Sequence, residues 1–451
     1  MLDPKLLREQ PDLVKRAALD KRVGSPEKVD QWVAVDMVRR NAQARADVLR
    51  AEQGKIGGEV GKLKGKLKGQ LKGQLKGQLK GQLEGQAKSE TSAELDGLLA
   101  KATDLKHQYE QAVHEQSEAE TTAKELMLQL PAVPDPTWPI GKDDSENVEY
   151  EKWHDPSRPP RSGVASHVEL VEKLGLVDFH RGVKLAGSRS YVMRGQGALL
   201  YNAVLKFALD MIVSRGYEPY VVPVLVSEAC MIGTGYFPGG RDQAYITQDG
   251  SALVGTSEVP LASFFGDEIL DESQFPIRMC AVSTCFRREA GAAGKDSAGL
   301  YRVHQFDKVE QVILHKADDV EHIALHEEIT DNSRAILQAL KLPYRVLKVC
   351  TGDMGQGKWR MYDIESWMPS RNSYGETHSG SALRDFQSRR LNMRYRKAGE
   401  KQPIFAYTLN NTAIACPRVL ISILEQYQLE DGRIEVPEVL RTYMGGLETI
   451  G

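Results

Sequence analysis

Long apolar runs and cysteine pairs are absent from the sequence. No run of about 18 apolar residues occurs in the 451 residues, so no transmembrane helix and no membrane partner are expected. The five cysteines form no CxxC pair, which argues against a disulfide framework and a zinc site and fits a reducing, cytoplasmic environment. The N-terminal residues MLDPKLLREQPDLVKRA are charged from the start and lack the apolar core of a signal peptide.

The whole chain also lacks an excess of charge of one sign, because its net charge is only -3. One segment, however, is strongly positive. Residues 61–88 hold eight lysines and one glutamate. Lysine-rich surfaces bind phosphate backbones without reading sequence, so this segment indicates either a nucleic-acid contact or a solvated low-complexity expansion. The lysines are Lys62, Lys64, Lys66, Lys68, Lys72, Lys76, Lys80 and Lys88.

Two segments on either side of this one have the spacing of amphipathic helices. Apolar side chains follow at intervals of 4, 7, 4 and 3 residues within 30–51, and at 3, 4, 3 and 4 within 95–109. Each series places its members on one helix stripe, which predicts an antiparallel coiled-coil hairpin; a helix pair within a larger bundle is the alternative. The first predicted stripe comprises Val33, Met37, Ala44, Val48 and Ala51.

Between the two helical segments, leucine and glycine each recur every four residues from Gly61 onwards. A period of four drifts by about 40° per repeat around a helix, and each interior glycine costs about 1 kcal/mol relative to alanine. The repeat is therefore predicted to be helical only if something packs on it, and to form a mobile tip otherwise.

The composition changes after the helical segments. Residues 130–165 are rich in proline, which stops helices and predicts a linker between an arm at 1–129 and a domain at 166–451. The later domain mixes amphipathic helices with β-branched runs such as 276–286 and 304–314. This pattern predicts an α+β fold on a mainly antiparallel sheet.

The later domain has charged residues inside its strand-like runs but neither a P-loop nor a GxGxxG motif. Alternation places Arg302, His304, Phe306, Lys308 and Glu310 on one face of a strand, after a small-residue loop at 289–300. Arginines, an aromatic ring and a carboxylate suit a nucleotide site, although an ion-pair lattice is the alternative.

Two further stretches fit a nucleotide site. Glu376 and the Ser379 hydroxyl offer hard oxygen ligands for Mg²⁺. Residues 408–428 read as a strand that runs into an apolar helix, with Arg418 at the junction, where a guanidinium and a helix start can both face a phosphate.

Taken together, these motifs resemble the class II aminoacyl-tRNA synthetases and, among them, the seryl-tRNA synthetase family. The three class motifs match at 194–226, 286–311 and the segment that includes Arg418. Features typical of the seryl enzymes match as well: TSE at 256–258, GTGYFP at 233–238, YGETHSGSALRDFQSRRLNMRYR at 374–396 and DGRIEVPEVLRTYMGG at 431–446. The resemblance covers nearly the whole chain outside 61–88.

The resemblance implies roles for individual residues in ATP binding. Arg287 would hold the α-phosphate and the serine carboxylate, and Arg302 and Arg418 the β- and γ-phosphates of a bent ATP. Phe306 would stack on the adenine. The remaining expected ATP-site residues are Arg288, Glu289, Val303, Thr377 and His378, with Glu376 and Ser379 as the Mg²⁺ and phosphate ligands.

For the amino acid, the resemblance implies that Thr256, Ser257 and Glu258 recognise the serine ammonium. Glu310 and Thr412, helped by Asn410, would read the amino acid and its hydroxyl. Catalysis would depend on Arg287, Arg418 and Glu376.

The implied function is a homodimeric, cytoplasmic serine–tRNA ligase that uses ATP, L-serine and Mg²⁺ and needs no zinc. Its N-terminal arm would grip tRNA(Ser) through the lysine-rich tip, with tRNA(Sec) open as a second acceptor. Two alternatives stand beside it: a relative that passes the activated amino acid to another acceptor, and a non-catalytic nucleic-acid-binding relative. The retained arm argues against the first alternative, and the intact charged motif residues argue against the second.

Overall fold

The computed structural model describes the backbone of residues 1–74, 83–291 and 299–451, and it describes no side chain between residues 70 and 91. By their packing, the described residues form two compact units. One unit comprises 27–127, and the other comprises 1–26 together with 128–451. The division predicted from the sequence, into an arm at 1–129, a linker at 130–165 and a domain at 166–451, stays a prediction.

The helices of the described chain range from one turn to about thirteen turns. They are α1 (Pro4–Glu9), α2 (Pro11–Lys21), α3 (Pro26–Gln74), α4 (Leu83–Met127), α5 (His167–Lys173), α6 (Phe179–Ala186), α7 (Gln196–Ser214), α8 (Glu228–Thr234), α9 (Glu258–Ser263), α10 (Asp319–Ala339), α11 (Phe386–Leu391), α12 (Arg418–Gln426) and α13 (Glu438–Arg441).

The strands of the larger unit are mostly short, apart from five long ones near the centre of one sheet. They are β1 (Val148–Trp153), β2 (Val177–Asp178), β3 (Val192–Met193), β4 (Glu218–Tyr220), β5 (Leu225–Val226), β6 (Tyr245–Ile246), β7 (Ala252–Leu253), β8 (Ile269–Asp271), β9 (Ile277–Phe286), β10 (Gln305–His315), β11 (Tyr344–Lys348), β12 (Arg360–Met368), β13 (Ser373–Arg384), β14 (Arg394–Arg396), β15 (Ile404–Phe405), β16 (Tyr407–Cys416), β17 (Ile434–Glu435) and β18 (Thr449–Ile450).

An eight-stranded sheet organises the larger unit, in the order β1-β11-β12-β13-β16-β10-β9-β4. Every neighbouring pair is antiparallel except β4 and β9, which confirms the predicted α+β fold on a mainly antiparallel sheet. Helices α7, α10 and α12 pack on this sheet and bury the main hydrophobic core. The runs 276–286 and 304–314 form β9 and β10, as predicted.

The first 26 residues fold onto the larger unit. Asp3 caps α1 by accepting a hydrogen bond from the Lys5 backbone N–H at 2.7 Å. Its other carboxylate oxygen lies 2.7 Å from the Arg389 guanidinium. Lys21 is buried and donates a hydrogen bond to the Gln356 carbonyl at 3.2 Å. These contacts anchor both ends of the segment on the larger unit.

The smaller unit is the predicted helix pair, formed by α3 and α4. Arg45 and Glu115 form an ion pair between the two helices, and Gln116 donates a hydrogen bond to Gln43. Arg45 and Glu115 are 70 residues apart in the sequence, so the chain must reverse its direction between them, as predicted for the hairpin.

The predicted apolar stripe of the first helix was wrong. Met37 and Val48 are exposed, by 52% and 59%, and Ala44 and Ala51 are exposed as well. The buried side of α3 includes Asp36, which pairs at 3.1 Å with both Arg39 and Arg40. A prediction that counts only apolar residues as buried cannot include a carboxylate that is buried because it pairs with arginines. The buried apolar residues of α3 are Val29, Trp32, Ala42, Ala46 and Ile56.

The lysine-rich repeat lies only partly within the described residues. Lys62, Lys64, Lys66 and Lys68 are exposed on α3, which continues to Gln74. The side chains of Lys72, Lys76, Lys80 and Lys88 lie outside the described residues, as does the backbone at 75–82. The prediction of a mobile tip therefore stays a prediction.

The proline-rich stretch 130–165 contributes to the sheet. Its residues 148–153 form β1, which pairs with β11 at the sheet edge. Trp138 is buried and donates a hydrogen bond from Nε1 to the Val349 carbonyl at 2.9 Å. The stretch thus packs along the larger unit in addition to connecting the helix pair to it.

Helix α7 is, within the described chain, the one helix long and apolar enough to cross a membrane by length and composition. Half of its most apolar window is buried inside the unit. Leu200, Val204, Ala208 and Ile212 follow at intervals of four residues and are buried in the main core. This packing accounts for the apolar composition of α7.

A buried carboxylate fixes the far end of α12, the helix that begins with Arg418. The Glu425 carboxylate accepts hydrogen bonds from the backbone N–H groups of His167 and Ser370, each at 2.9 Å, and from the Ser370 hydroxyl at 2.7 Å. Its side chain is fully buried. Burial raises the pKa of Glu425, but hydrogen bonds from His167 and Ser370 outweigh it and hold the pKa below its ordinary value.

We expect the replacement Glu425→Gln to lower the free energy of unfolding by about 2 kcal/mol at neutral pH, because three donors lose a charged acceptor. Because the folded-state pKa is depressed, this stabilisation is present above the ordinary carboxyl pKa and is lost as pH falls through the folded value. The difference in free energy of unfolding between wild type and Glu425→Gln, measured by urea unfolding, should therefore be smaller at about pH 4 than at about pH 7. The exposed Glu430→Gln is the matched control; an equal effect of both variants at either pH would contradict the prediction.

Candidate active site

A cleft of the larger unit lies over the central strands of the eight-stranded sheet. It has a volume of about 810 Å³ with its open mouth, and its floor comes from β10, β13 and β16, which are neighbours in the sheet. Fourteen of the residues predicted from the sequence line it: Glu258, Arg287, Glu289, Arg302, Val303, Phe306, Glu310, Glu376, Thr377, His378, Ser379, Asn410, Thr412 and Arg418.

Three arginines enter the cleft from different elements. Arg418 starts α12 and donates from Nη1 to the Glu376 carboxylate at 3.0 Å and from Nε to the Tyr301 carbonyl at 2.9 Å. Arg302 precedes β10 and donates to the Glu289 carboxylate at 2.9 Å. Both carboxylates hold guanidinium groups in fixed positions, which favours binding of a phosphate without reorganisation.

Arg287 differs from the other two arginines. It follows β9, and its guanidinium lies 5.2 Å from the centre of the Phe306 ring and 3.4 Å from the Gly255 carbonyl. Among the described residues no carboxylate lies at ion-pair distance from it. Its backbone N–H donates to the His304 carbonyl at 2.9 Å, which fixes the start of the loop on β10. The cleft therefore has a positioned cation available for an anionic ligand.

Glu376 and Ser379 lie on β13, where Mg²⁺ was predicted. Burial raises the pKa of Glu376, but Arg418 and Arg287 outweigh it and hold the pKa below its ordinary value, so the carboxylate is charged at neutral pH. Asp363 lies opposite Ser379 in the sheet register, and its buried Oδ1 has no hydrogen-bond partner among the described residues. Among those residues no cluster of three or more histidine, cysteine or carboxylate side chains could hold a metal alone. One or two carboxylates plus substrate phosphates are the usual setting of Mg²⁺, so the oxygen donors fit.

The side of the cleft that was predicted to bind the adenine contains an aromatic ring. Phe306 on β10 and Val303 just before it both line the cleft. Glu289 has a φ of 50°, in the left-handed region, where a non-glycine residue costs about 1 kcal/mol or more. Its ion pair with Arg302 holds this conformation in place.

His378 and Thr377 are buried beside the cleft floor. The His378 Nδ1 lies 2.8 Å from the Thr377 hydroxyl, and burial lowers the pKa of His378 to about 3. The imidazole is therefore neutral at physiological pH.

A second region of the cleft contains two carboxylates, which we call the carboxylate pocket. Glu258 begins α9 and accepts hydrogen bonds from Asn410 and Gln387 at Oε1, each at 2.8 Å, and from the Tyr236 hydroxyl at Oε2, at 2.8 Å. The pocket comprises Tyr236, Glu258, Lys308, Glu310, Asn410 and Thr412.

Glu310 is placed by a β-bulge. Val309 pairs with Ile414, but Glu310 pairs with Thr412, so Ala413 is the extra residue on β16. The bulge brings the Thr412 hydroxyl within 3.4 Å of Glu310 Oε2. Burial raises the pKa of Glu310, the neighbouring Lys308 opposes this, and the net pKa is above its ordinary value.

Three predicted residues do not line the cleft. Arg288 points its backbone N–H to the Gln243 carbonyl at 3.0 Å, and Ser257 is buried with its hydroxyl 3.5 Å from the Ala281 carbonyl. Thr256 is buried, and its hydroxyl accepts a hydrogen bond from the Glu258 backbone N–H at 3.1 Å. Thr256 thus supports Glu258 from behind.

The prediction missed other cleft residues. Tyr236 lies inside the quoted GTGYFP motif, so that motif could have indicated it. Tyr301 and Ser381 likewise lie inside the quoted motifs at 286–311 and 374–396, whereas Lys358 and Met361 lie in none of them. Lys308 appeared on the predicted strand face but received no role.

Comparisons with known proteins identify the family. The tRNA synthetase class II core domain (G, H, P, S and T) matches residues 246–427, and the seryl-tRNA synthetase N-terminal domain matches residues 1–85. The serine–tRNA ligase of Synechococcus sp. (strain JA-3-3Ab) is 38% identical over 446 residues, which cover 98% of this chain and 97% of that protein. The chain belongs to the seryl-tRNA synthetase family.

Other members of the seryl-tRNA synthetase family agree with this assignment. The serine–tRNA ligase of Deinococcus radiodurans is 44% identical over 356 residues, which cover 79% of this chain and 83% of that protein. The crystal structure of seryl-tRNA synthetase from Pyrococcus horikoshii, complexed with ATP, superposes with a TM-score of 0.87 at 34% identity and covers 100% of this chain and 99% of that one.

The family assignment confirms the predicted activity. The protein is a serine–tRNA ligase, an ATP-dependent class II aminoacyl-tRNA synthetase with serine, ATP and tRNA(Ser) as substrates. The alternatives of another acceptor and of a non-catalytic relative are thereby set aside.

Proposed function

We propose that both steps of serine–tRNA ligation take place in the cleft, with ATP along β13 and α12 and serine in the carboxylate pocket. The observation that carries the proposal is the placement of Arg287 between these two regions, without a carboxylate partner among the described residues. A single guanidinium there reaches both the α-phosphate and the serine carboxylate, the two groups that must react.

In the first step, a serine carboxylate oxygen attacks the α-phosphorus in line, and the bond to pyrophosphate breaks. Arg287 orients the two reactants, and Arg302 and Arg418 hold the leaving phosphates in a bent conformation. The three guanidinium groups stabilise charge that spreads over the phosphoryl oxygens. Phe306 fixes the adenine, together with Glu289 and the backbone at Val303.

We assign Mg²⁺ to Glu376 and Ser379, with Asp363 available next to Ser379 in the sheet register. When bound, Mg²⁺ would neutralise the charge of the ATP phosphates. The support for this site is the set of hard oxygen donors, one of them a buried carboxylate oxygen without a hydrogen-bond partner in the described chain.

The carboxylate pocket accounts for selectivity toward serine. Glu258 faces the ammonium, and Glu310 with Thr412 accepts a hydrogen bond from the substrate hydroxyl. Alanine would leave a buried acceptor of this pocket unpaired, at a cost of about 1–3 kcal/mol. In the second step, the terminal hydroxyl of the tRNA attacks the seryl-adenylate carbonyl and forms the ester, the bond between the seryl carbonyl and the phosphate breaks, and AMP leaves with release of the hydroxyl proton.

We further propose that the arm contacts tRNA(Ser) through phosphate groups, with tRNA(Sec) as a second acceptor, and that the enzyme is cytoplasmic. The exposed lysines of α3 supply the charge for a contact that needs no base readout. Aminoacylation of total tRNA with each of the twenty amino acids tests the assignment: serine alone should be transferred, to tRNAs with a long variable arm. Transfer of another amino acid would contradict it.

We propose a homodimer that forms through an apolar face on α6 and α7. Leu185 is 76% exposed, and Val183 and Leu199 are each 49% exposed. Leu185 of α6 lines one surface hollow together with Ala198 of α7, and exposed apolar patches of this kind are typical of protein–protein contacts. Leu185→Asp is expected to shift sedimentation from a dimer to a monomer, whereas Val320→Asp on α10 (Val320 is 79% exposed) should leave the dimer intact. A monomeric wild-type enzyme would contradict the proposal.

A further inference from the structure

Lys308 is a buried cation inside the carboxylate pocket. It lies on β10, two residues before Glu310 and on the same face of the strand, and only 4% of it is exposed. Its Nζ forms an ion pair with Glu310 Oε2 and lies 3.3 Å from the Thr412 hydroxyl. A lysine is seldom buried without a partner of opposite charge, and here the partner is a residue proposed to bind serine.

The contacts of Glu310 leave one of its oxygens available. Within the described residues, both Lys308 and Thr412 contact Oε2. Glu258 differs, because its two oxygens accept three hydrogen bonds from side chains. Glu310 is therefore the carboxylate of the pocket whose Oε1 can serve a ligand.

The charge of the pocket also depends on Lys308. Two buried carboxylates close together cannot both stay charged without compensation. Serine brings one ammonium and one carboxylate; Arg287 is proposed to bind that carboxylate, so Lys308 brings the second positive charge for the two glutamates. Without Lys308, the pocket would hold an excess negative charge, and Glu310 would bind a proton in place of the missing partner.

We propose that Lys308 is a positioning residue of the serine site: its ammonium holds Glu310 as a carboxylate, turned so that Oε1 accepts a hydrogen bond from the amino-acid substrate. The proposal rests on the proposed role of Glu310 and extends it to a residue that does not itself touch serine. A protonated Glu310 would donate where an acceptor is needed and would lose its attraction for the substrate.

The first test is the kinetics of serine-dependent pyrophosphate exchange in Lys308→Met. We expect the serine KM to rise about 10- to 100-fold at neutral pH, the loss of one charge-assisted hydrogen bond, with the ATP KM unchanged. Lys308→Arg restores the charge and should recover most of the serine affinity. Lys316→Met, just beyond the same strand, is the matched control and should behave as wild type.

The second readout is the pH profile, which a purely structural lysine would not change. The charged groups that face Glu310 are Lys308 on its own strand, Glu258 on α9 and Arg287 after β9; Tyr236 and Cys285 also lie near it. Burial and Glu258 both favour the protonated form of Glu310, and Lys308 opposes them. In Lys308→Met, the serine KM should therefore fall as pH rises between about 6 and 9, whereas the wild-type value stays flat.

Glu310→Gln separates this inference from the proposed function. It should raise the serine KM, and adding Lys308→Met to it should cause little further change, because the two residues act together. If Glu310→Gln leaves the serine KM unchanged, the role proposed for Glu310 is wrong and the inference falls with it. If Glu310→Gln acts but Lys308→Met shows wild-type serine kinetics at every pH, the inference alone is overturned.

Folding is controlled in the same set of variants. If Lys308→Met does not fold, the comparison uses Lys308→Arg and the double variant Lys308→Met/Glu310→Gln, in which no charge is left unpaired. The inference then requires the double variant to match Glu310→Gln in serine KM and to show no pH dependence. A further loss in the double variant, or a lowered kcat at unchanged serine KM, would assign Lys308 a structural role instead.

Discussion

Arg287→Ala is expected to reduce serine-dependent pyrophosphate exchange by about 10³-fold or more, the largest effect predicted for a single residue of this enzyme. The guanidinium is proposed to contact both reacting groups, so its removal costs orientation and charge stabilisation at once. The fold should be unaffected, because within the described residues Arg287 pairs with no carboxylate and so leaves none unpaired. Exchange and thermal unfolding measured on the same preparation check both parts.

Two further variants make the Arg287 result specific. Arg287→Lys keeps the charge but loses the planar fork, so an intermediate loss is expected. Arg181→Ala removes an arginine whose side chain is 73% exposed on α6 and should leave exchange unchanged. Wild-type exchange activity in Arg287→Ala would refute the assignment of the cleft. If Arg287→Ala also loses folded protein, the exchange activity of Arg287→Lys decides whether the guanidinium is needed.

Deletion of residues 61–88 is expected to spare pyrophosphate exchange and to lower kcat/KM for tRNA by about 100-fold. The residues of the cleft belong to the larger unit, whereas the deleted segment falls within the range of the smaller unit, 27–127. Eight lysines against one glutamate would be lost, and with them the phosphate contacts. Aminoacylation with tRNA(Ser) at several salt concentrations is the measurement.

A substitution variant distinguishes charge from length. Changing Lys62, Lys64, Lys66 and Lys68 to glutamine removes four exposed charges from α3. Glutamine has nearly the same helix propensity as lysine, so the helix should be retained. It should raise the tRNA KM and flatten the dependence of affinity on salt. If neither the deletion nor this variant changes the tRNA KM, the repeat is an idle expansion.

Several parts of the fold could be predicted from the sequence because their signals are local. The switch from strand to helix at Arg418 depends on neighbouring residues, and so does the alternation along β10 that brings Phe306, Lys308 and Glu310 to one face. The family motifs placed fourteen predicted residues around one cleft for the same reason. A motif specifies residue types at fixed spacing, so the arginines and glutamates of the site could be found without knowledge of the fold.

Other features escaped prediction because they depend on residues far apart in sequence. The buried side of α3 was predicted wrongly, since more than one stripe of the helix carries apolar residues and Asp36 is buried by pairing with arginines. Tyr236 meets Glu258 across 22 residues, and Asn410 meets it across 152. No periodicity in one segment specifies such a contact.

The family, the mainly antiparallel α+β fold, the helical arm, and the arginines and carboxylates proposed to act on ATP and serine could all be read from residue types and their spacing. How these groups are paired follows from the folded sheet. The bulge that places Thr412 against Glu310, and the ion pair that joins Glu310 to Lys308, follow from strand register. Register is fixed by the packing of the whole sheet, so the charge and orientation of each carboxylate emerge only once the strands lie side by side.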